Sequence, residues 1–329
     1  MASHIERDDL APPSLAISPR RRGGWLSDFE FRDGQLKVLK TGATAKLDLS
    51  VLCEVLIWLA FFACLQVRGA WLKLRRPSMT SIGFLPDQPR PWYLVRSAAA
   101  WAGMRVVGAD NADIVMFFED ATWSERLTTP AGQKGLNFAC NDISKSRVAS
   151  VFEAVFGYPL TIDPTTHRGL AVEKSEVNSM HDGRIVDCPC EPKEGSVYQR
   201  LVDTSDGRNI TDLRTPCVDG VPILVWQKER PAAQVFSVHN RRVRLRRPDQ
   251  IFSAVEIVAI RTFCARFGLD WGGLDILRDR TDQRIYIVDV NKTDVGPIIA
   301  LRLWDKLRSI SRLAEALVIA ARLRARPLE

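Results

Sequence analysis

Three oxygen-bearing side chains keep unexpected company near the end of the chain. Asp275, Asp289 and Asn291 lie among isoleucines and valines in LDWGGLDILRDRTDQRIYIVDVNKTDVGP, residues 269–297. In RIYIVDVNK, strand alternation puts Ile285, Ile287, Asp289 and Asn291 on one face and Tyr286, Val288 and Val290 on the other. A strand apolar on both faces is a buried strand. A turn centred near Asp282 lies seven residues from both Asp275 and Asp289, which sets the two acids opposite each other on neighbouring strands. Cβ atoms of such neighbours are about 4.5–5.5 Å apart, where like charges repel. A buried unpaired carboxylate is costly. Three remedies exist: a proton on one acid, an arginine between them, or a divalent cation. Two carboxylates and an amide oxygen are hard ligands, suited to Mg2+ held jointly with water and phosphate. The alternative without chemistry is a solvated hairpin end carrying ordinary surface acids.

Such a hairpin needs a sheet around it, and the preceding chain supplies the elements. Within residues 79–140, SIGFLP reads as a strand, PWYLVRSAAAWAGM as a helix with one apolar face, and RVVGA and ADIVMFFED as further strands. Strand, helix and strand at this spacing predict a small α/β unit with a parallel sheet. NDISKSRVASVFEAVFGYPL, residues 141–160, predicts a helix with Asn141 or Asp142 as N-cap. Val148, Val151, Phe152, Val155 and Phe156 share its apolar face, and Gly157 and Pro159 end it. LAVEKSEV and VYQRLVD read as strands, with HDGR a turn between them. DLRTPCVDG and VPILVWQKER read as a hairpin, and RRVRLRRPDQ as a basic link. Residues 251–267 predict a helix closed by Gly268, and residues 301–326 an amphipathic, arginine-rich helix stopped by Pro327.

Length and composition bound the rest. A chain of 329 residues with 46% hydrophobic and 26% charged residues has the make-up of a globular protein of two or three units. The net charge of +7 favours phosphorylated ligands, acidic lipid or nucleic acid as neighbours. Seven scattered cysteines argue against a disulfide framework and for a reducing compartment, and Cys188-Pro-Cys190 lacks the partner pair of a metal site. Residues 1–35 are expected to form a flexible arm or a loosely docked strand, with no secretory signal.

Residues 36–78 form an apolar and basic segment with VLCEVLIWLAFFACLQV at its centre. Its cleanest apolar run, residues 55–65, has eleven residues where a bilayer span needs about 20. Three readings stand: a packing helix, an interfacial helix whose Arg68, Lys73, Arg75 and Arg76 touch acidic lipid, or a span. Each leaves the main body in the cytoplasm, and membrane contact through residues 51–76 would put it at the inner face.

GLDIL followed by YIVDVN resembles the metal-binding hairpin of the ATP-grasp superfamily. The resemblance runs over residues 140–297 and, more weakly, over the α/β unit before them. It implies an α/β (α+β) fold. The small parallel unit of residues 79–140 would precede an ATP-grasp-like domain over residues 141–300. That domain would hold a lid at about residues 165–198 and an antiparallel sheet bearing the metal hairpin, and residues 301–329 would add the basic C-terminal helix. It further implies ATP and Mg2+ as ligands, with Asp275, Asp289 and Asn291 on the metal.

Lys174 in AVEKSEV matches the lysine that the family places on a lid strand against the phosphates, and Lys145 in NDISKS resembles the earlier ATP-binding lysine. VYQRLVD looks like the strand that meets adenine, which nominates Gln199, Arg200, Leu201 and Val202 for the pocket and Asp203 for the ribose. DLRTPCVDGVPILVWQKER is similar to the D-x-R strand and hairpin, nominating Arg214, Lys228 and Arg230 for phosphate or acceptor contacts. Asn240 in FSVHN resembles the segment that follows. Where many members have a glycine-rich lid loop, SEVNSMHDGR has only Gly183, and His181 adds a donor.

Most enzymes of this kind join a carboxylate to an amine through an acylphosphate, and no protein nucleophile is expected or evident. Arg230 is the candidate for steadying the acylphosphate. Two alternatives stay open: a kinase of a polyol or sugar phosphate on the same fold, and a non-catalytic, membrane-associated nucleotide-binding protein. The run Arg241, Arg242, Arg244, Arg246 and Arg247 suits a phosphorylated acceptor. Nucleic acid is not expected, because no interleaved aromatic residues accompany the charge.

Overall fold

The computed structural model describes residues 29–32, 34–38, 44–46, 49–75, 80–130, 133–178, 180, 182–232 and 242–325. The first described elements are three short strands, β1 (Phe29–Arg32), β2 (Gln35–Val38) and β3 (Thr44–Lys46), paired as an antiparallel meander. The segment read as helical from residue 36 therefore opens with two strands, and α1 runs from Leu49 to Arg75.

The parallel unit is present as expected. Strands β4 (Ser81–Pro86), β5 (Arg105–Val106), β6 (Ile114–Phe118) and β7 (Lys134–Leu136) lie in the order β5-β4-β6-β7, and every pair is parallel. All five residues of β6, IVMFF, are buried, as a strand covered on both faces demands. Helix α2 (Leu94–Trp101) contributes Ala98 and Ala99 to a core shared with Leu313, Ala314 and Leu317 of α5 (Leu303–Ala325).

The second, larger sheet is antiparallel, in the order β14-β13-β11-β15-β16. Its strands are β11 (Asn209–Val218), β13 (Val225–Pro231), β14 (Arg242–Arg246), β15 (Trp271–Arg278) and β16 (Ile285–Asn291), with the short β12 (Val221–Pro222) paired to β11. Helices α3 (Lys145–Phe156) and α4 (Ala254–Phe267) cover one face. Val148, Phe152, Ile260 and Phe263 bury against Leu213, Val225, Leu274 and Val290 of the sheet. Trp226 and Trp271 belong instead to the core shared with the parallel unit.

A third, three-stranded antiparallel sheet, β10-β8-β9, is built from β8 (Gly169–Ser175), β9 (Arg184–Cys188) and β10 (Ser196–Arg200). Strand β9 was not expected; its sequence RIVDC is short and partly exposed.

Three local expectations are corrected. The N-cap of α3 is Ser144, whose Oγ accepts from the Arg147 amide, while Asp142 accepts from the Ser144 amide one step earlier. The basic link is edge strand β14, where arginine suits a strand open to water on one side. A capping box between Ser253 and Glu256 starts α4 at Ala254, not at residue 251.

Candidate functional site

The register of the large sheet assembles the site. Asp275 lies opposite Asp289, the pairing that the spacing predicts. On its other side Asp275 faces Arg214 of β11, and Asp212 of β11 faces Lys228 of β13. Strand alternation gives these side chains the face that α3 and α4 leave uncovered. The register shifts by one residue at Val288, so Ile287 pairs with Ile276, and Ile285 and Ile287 join the helix-covered core instead of sharing a face with Asp289. A bulge re-aims the residues beyond it.

The charge problem posed by the two acids is met mainly by the second remedy. Arg214 donates through Nη1 to Asp275 Oδ2 at 2.6 Å and through Nη2 to Asp294 Oδ1 at 2.6 Å. Lys228 Nζ donates to Asp275 Oδ1 at 3.2 Å. Lys145, the first residue of α3, donates to Asp289 Oδ1 at 2.6 Å and to Asn178 Oδ1 at 3.0 Å. Lys174 Nζ reaches Gln199 Oε1 at 3.0 Å, and Arg230 is ion-paired with Asp212. Gly273 makes room for this arrangement. A Cβ there would collide with Asp294 Oδ2 and stand 2.8 Å from Arg214 Nε.

Electrostatics follow the geometry. Burial alone would raise the Asp275 carboxyl, but Arg214 and Lys228 outweigh it and hold its pKa well below the usual carboxylate range. Asp294 is more deeply enclosed, and burial raises its pKa despite the pull of Arg214. Burial opposes the Arg214 charge, and Asp275 and Asp294 overcome it and raise its pKa. Lys174 goes the other way: desolvation lowers its pKa to about 8, against the attraction of Asp289 and with the repulsion of Lys145. A lysine poised near neutrality beside buried acids is a pattern typical of functional sites.

The nominated residues divide. Lys145, Lys174, Gln199, Arg214, Lys228, Asp275 and Asp289 meet in one cluster, and Arg230 borders it through Asp212. Asn291 sits opposite Gly273 with its Nδ2 buried and without a hydrogen-bond partner. Arg200 instead pairs with Asp279 and lies over the Tyr286 ring at 5.5 Å, and Asp203 pairs with Arg280. Val202 is packed in the core between the sheet and α3, and Leu201 is half-buried. His181 and Asn240 lie outside the described residues.

Several site residues escaped the reading of the sequence. Asp294 and Asn178 carry no motif of their own. The segments FEDATW, residues 118–123, and PRPWY, residues 89–93, supply further contacts. Asp120 accepts from Tyr93 and Thr293, each at 2.8 Å, Lys292 Nζ donates to Ser124 Oγ at 2.6 Å, and Thr122 Oγ1 accepts from the Asn178 amide at 2.8 Å. The two segments thus clamp the parallel unit to the loop after β16 and to the small sheet.

Whether these residues suit Mg2+ is a matter of donors. Among the described residues, no group of three or more His, Cys, Asp or Glu side chains stands close enough to hold a metal by itself. Asp275 is committed to Arg214, which Asp294 anchors from behind. Asp289 Oδ1 accepts from the tethered amine of Lys145 and from the Val290 amide, and the atom of Asn291 left without a partner is the donor Nδ2, which can meet a phosphate oxygen but not a metal. A magnesium ion carried in on phosphate oxygens would have the Asp289 carboxylate and the amide oxygen of Asn291 as its protein ligands, since Mg2+ commonly takes one or two carboxylates and completes its shell with water and phosphate.

No protein-family description and no curated protein matches the sequence. Solved structures are similar in fold. One is the ATP-grasp ligase PsnB complexed with its minimal precursor, at 12% identity over 74% of this chain and 99% of that one, with a TM-score of 0.48. Another is a RimK-domain ATP-grasp protein from Sphaerobacter thermophilus, at 12% identity over 74% and 99% of the chains, TM-score 0.44. A third is D-alanine–D-alanine ligase from Bacillus anthracis complexed with ATP, at 14% identity over 74% and 98%, TM-score 0.42.

Proposed function

We propose that this protein is a Mg-ATP-dependent ligase that activates a carboxylate as an acylphosphate and passes it to an amine. One observation carries the reading. Lys145, Lys174, Arg214 and Lys228 converge from separate elements on one face of the large sheet, with Asp289 free to exchange its amine for another cation. A triphosphate brings about four negative charges, and a receptor for it needs fixed cations of this kind.

In this reading Lys145 and Lys174 turn from Asp289 and Gln199 onto phosphate oxygens. Gln199, whose Nε2 is buried without a partner, supplies a further donor. Arg214, held by Asp294, keeps the floor of the site positive while Asp275 stays ionised. Magnesium at Asp289 and Asn291 would supply charge neutralisation of the transferring phosphoryl group. Arg230 lies beside Asp212 at the edge of the cluster and steadies the acylphosphate. Such transfer rests on positioning and electrostatics rather than on a protein nucleophile.

The test is thermal stabilisation by Mg-ATP followed by turnover. At a nucleotide concentration of about 100 times Kd the expected gain is about 2.7 kcal/mol, or about 4 °C. Lys174→Ala and Asp289→Asn, each compared with its own ligand-free melting point, should lose it; full shifts in both would remove the site assignment. ADP release that needs both a carboxylate and an amine supports the ligase. Release with a hydroxyl acceptor alone would make it a kinase, and stabilisation without turnover under every acceptor would leave only a nucleotide-binding protein.

A further inference from the structure

Helix α1 has two stripes, and the described residues cover only one. Phe61, Leu65 and Gly69 are buried against the body, with a Cβ at Gly69 colliding with the Ala100 carbonyl. Arg68 stacks over the Trp101 ring at 4.6 Å. The opposite stripe follows helical spacing over the same length. Leu52, Leu56, Leu59, Val67 and Leu74 are 54%, 56%, 53%, 71% and 84% exposed. A core helix does not look like this. By length and composition the helix could cross a membrane, but along one side it packs on the body with α2 and α5.

The charges say what covers the free stripe. The acidic residue of α1, Glu54, follows the body-facing stripe and lies near Lys306 of α5, and the last turns carry Arg68, Lys73 and Arg75 and no acid. Trp71 is 47% exposed beneath Arg75, whose guanidinium lies 4.4 Å from the ring centroid, and Trp304 at the start of α5 is 73% exposed. Apolar residues edged by basic ones and by tryptophan suit the boundary between acyl chains and acidic headgroups. A second copy of the chain would meet the same excess of positive charge and be repelled by it. We infer that α1 docks the protein on an acidic lipid surface, lying in the plane of the membrane with its outer stripe among the acyl chains.

The experiment is co-sedimentation of the full chain with vesicles of phosphatidylcholine alone or mixed with phosphatidylserine. Binding should require phosphatidylserine, weaken with added salt, and be released by alkaline carbonate washing. The surface variant Leu56→Glu/Val67→Glu should reduce it at least about tenfold while retaining the wild-type thermal melting point. Binding unchanged in that variant would overturn the docking surface. Resistance to carbonate would show a span instead. Failure to sediment together with a dimer in analytical ultracentrifugation that the variant abolishes would assign the stripe to a second copy.

Discussion

Replacing Arg214 with methionine keeps an unbranched apolar stem and removes the charged guanidinium, and the effect can be worked out from the two acids it holds. Asp275 keeps Lys228 at 3.2 Å, so the loss falls on Asp294, whose side chain is 2% exposed. Without a partner, Asp294 must take up a proton in the folded state. Keeping a carboxyl of ordinary pKa, about 3.9, protonated at pH 7 costs about 4 kcal/mol at about 1.36 kcal/mol per unit. This agrees with the roughly 3–5 kcal/mol found when a buried ion pair loses one member.

The origin of the loss also fixes its pH dependence. The folded variant would hold a proton that the unfolded chain gives up above about pH 4, so stability falls as pH rises from there. Burial already raises Asp294 in the wild type, so the deficit is at most about 4 kcal/mol at pH 7, and it should shrink by up to about 2.7 kcal/mol at pH 5. Urea unfolding followed by tryptophan fluorescence suits the measurement, since Trp226 and Trp271 are both buried in the sheet that holds the pair. Adding Asp294→Asn should restore most of the loss. A deficit under about 1 kcal/mol at pH 7, equal deficits at both pH values, or no rescue would refute the reasoning.

Lys174, with a pKa near 8 set by burial, should take up a proton when a triphosphate binds at about that pH. Calorimetry in two buffers of different ionisation enthalpy should show the uptake, affinity should fall as pH rises past about 8, and Lys174→Met should abolish both effects. Gly273→Ala adds a Cβ that collides with Asp294 and crowds Arg214; the expected cost is about 1–3 kcal/mol of stability, read as a lowered urea midpoint.

The opposition of Asp275 and Asp289 was legible because strand alternation and turn position are local properties. So were α3, α4 and α5, through their periodicity and the glycines and proline that end them. The neutralisation of the acids was not. Arg214 is 61 residues from Asp275 and 80 from Asp294, and only sheet order brings β11 beside β15. Lys145 and Asp289 meet across 144 residues. The one-residue shift at Val288 also left no signal, since a bulge changes pairing without changing composition. RRVRLRRPDQ misled for another reason: dense charge suggests solvent, and an edge strand meets solvent along one side.

The clamp around Asp120 has a mechanical consequence. With Tyr93 and Thr293 on one carboxylate, Lys292 on Ser124, and Tyr93 bridged to Val295, the parallel unit and the large sheet are fastened as one piece. The small sheet β10-β8-β9 is tied to the rest at one end by Arg200, paired with Asp279, and at the other by Asn178, bonded to Thr122 and Lys145, and by Glu176, which accepts from the Ser146 amide. Any opening wide enough to admit a bulky guest should therefore swing that flap alone. Its first event would be to part Lys145 from Asn178, the same amine that must leave Asp289.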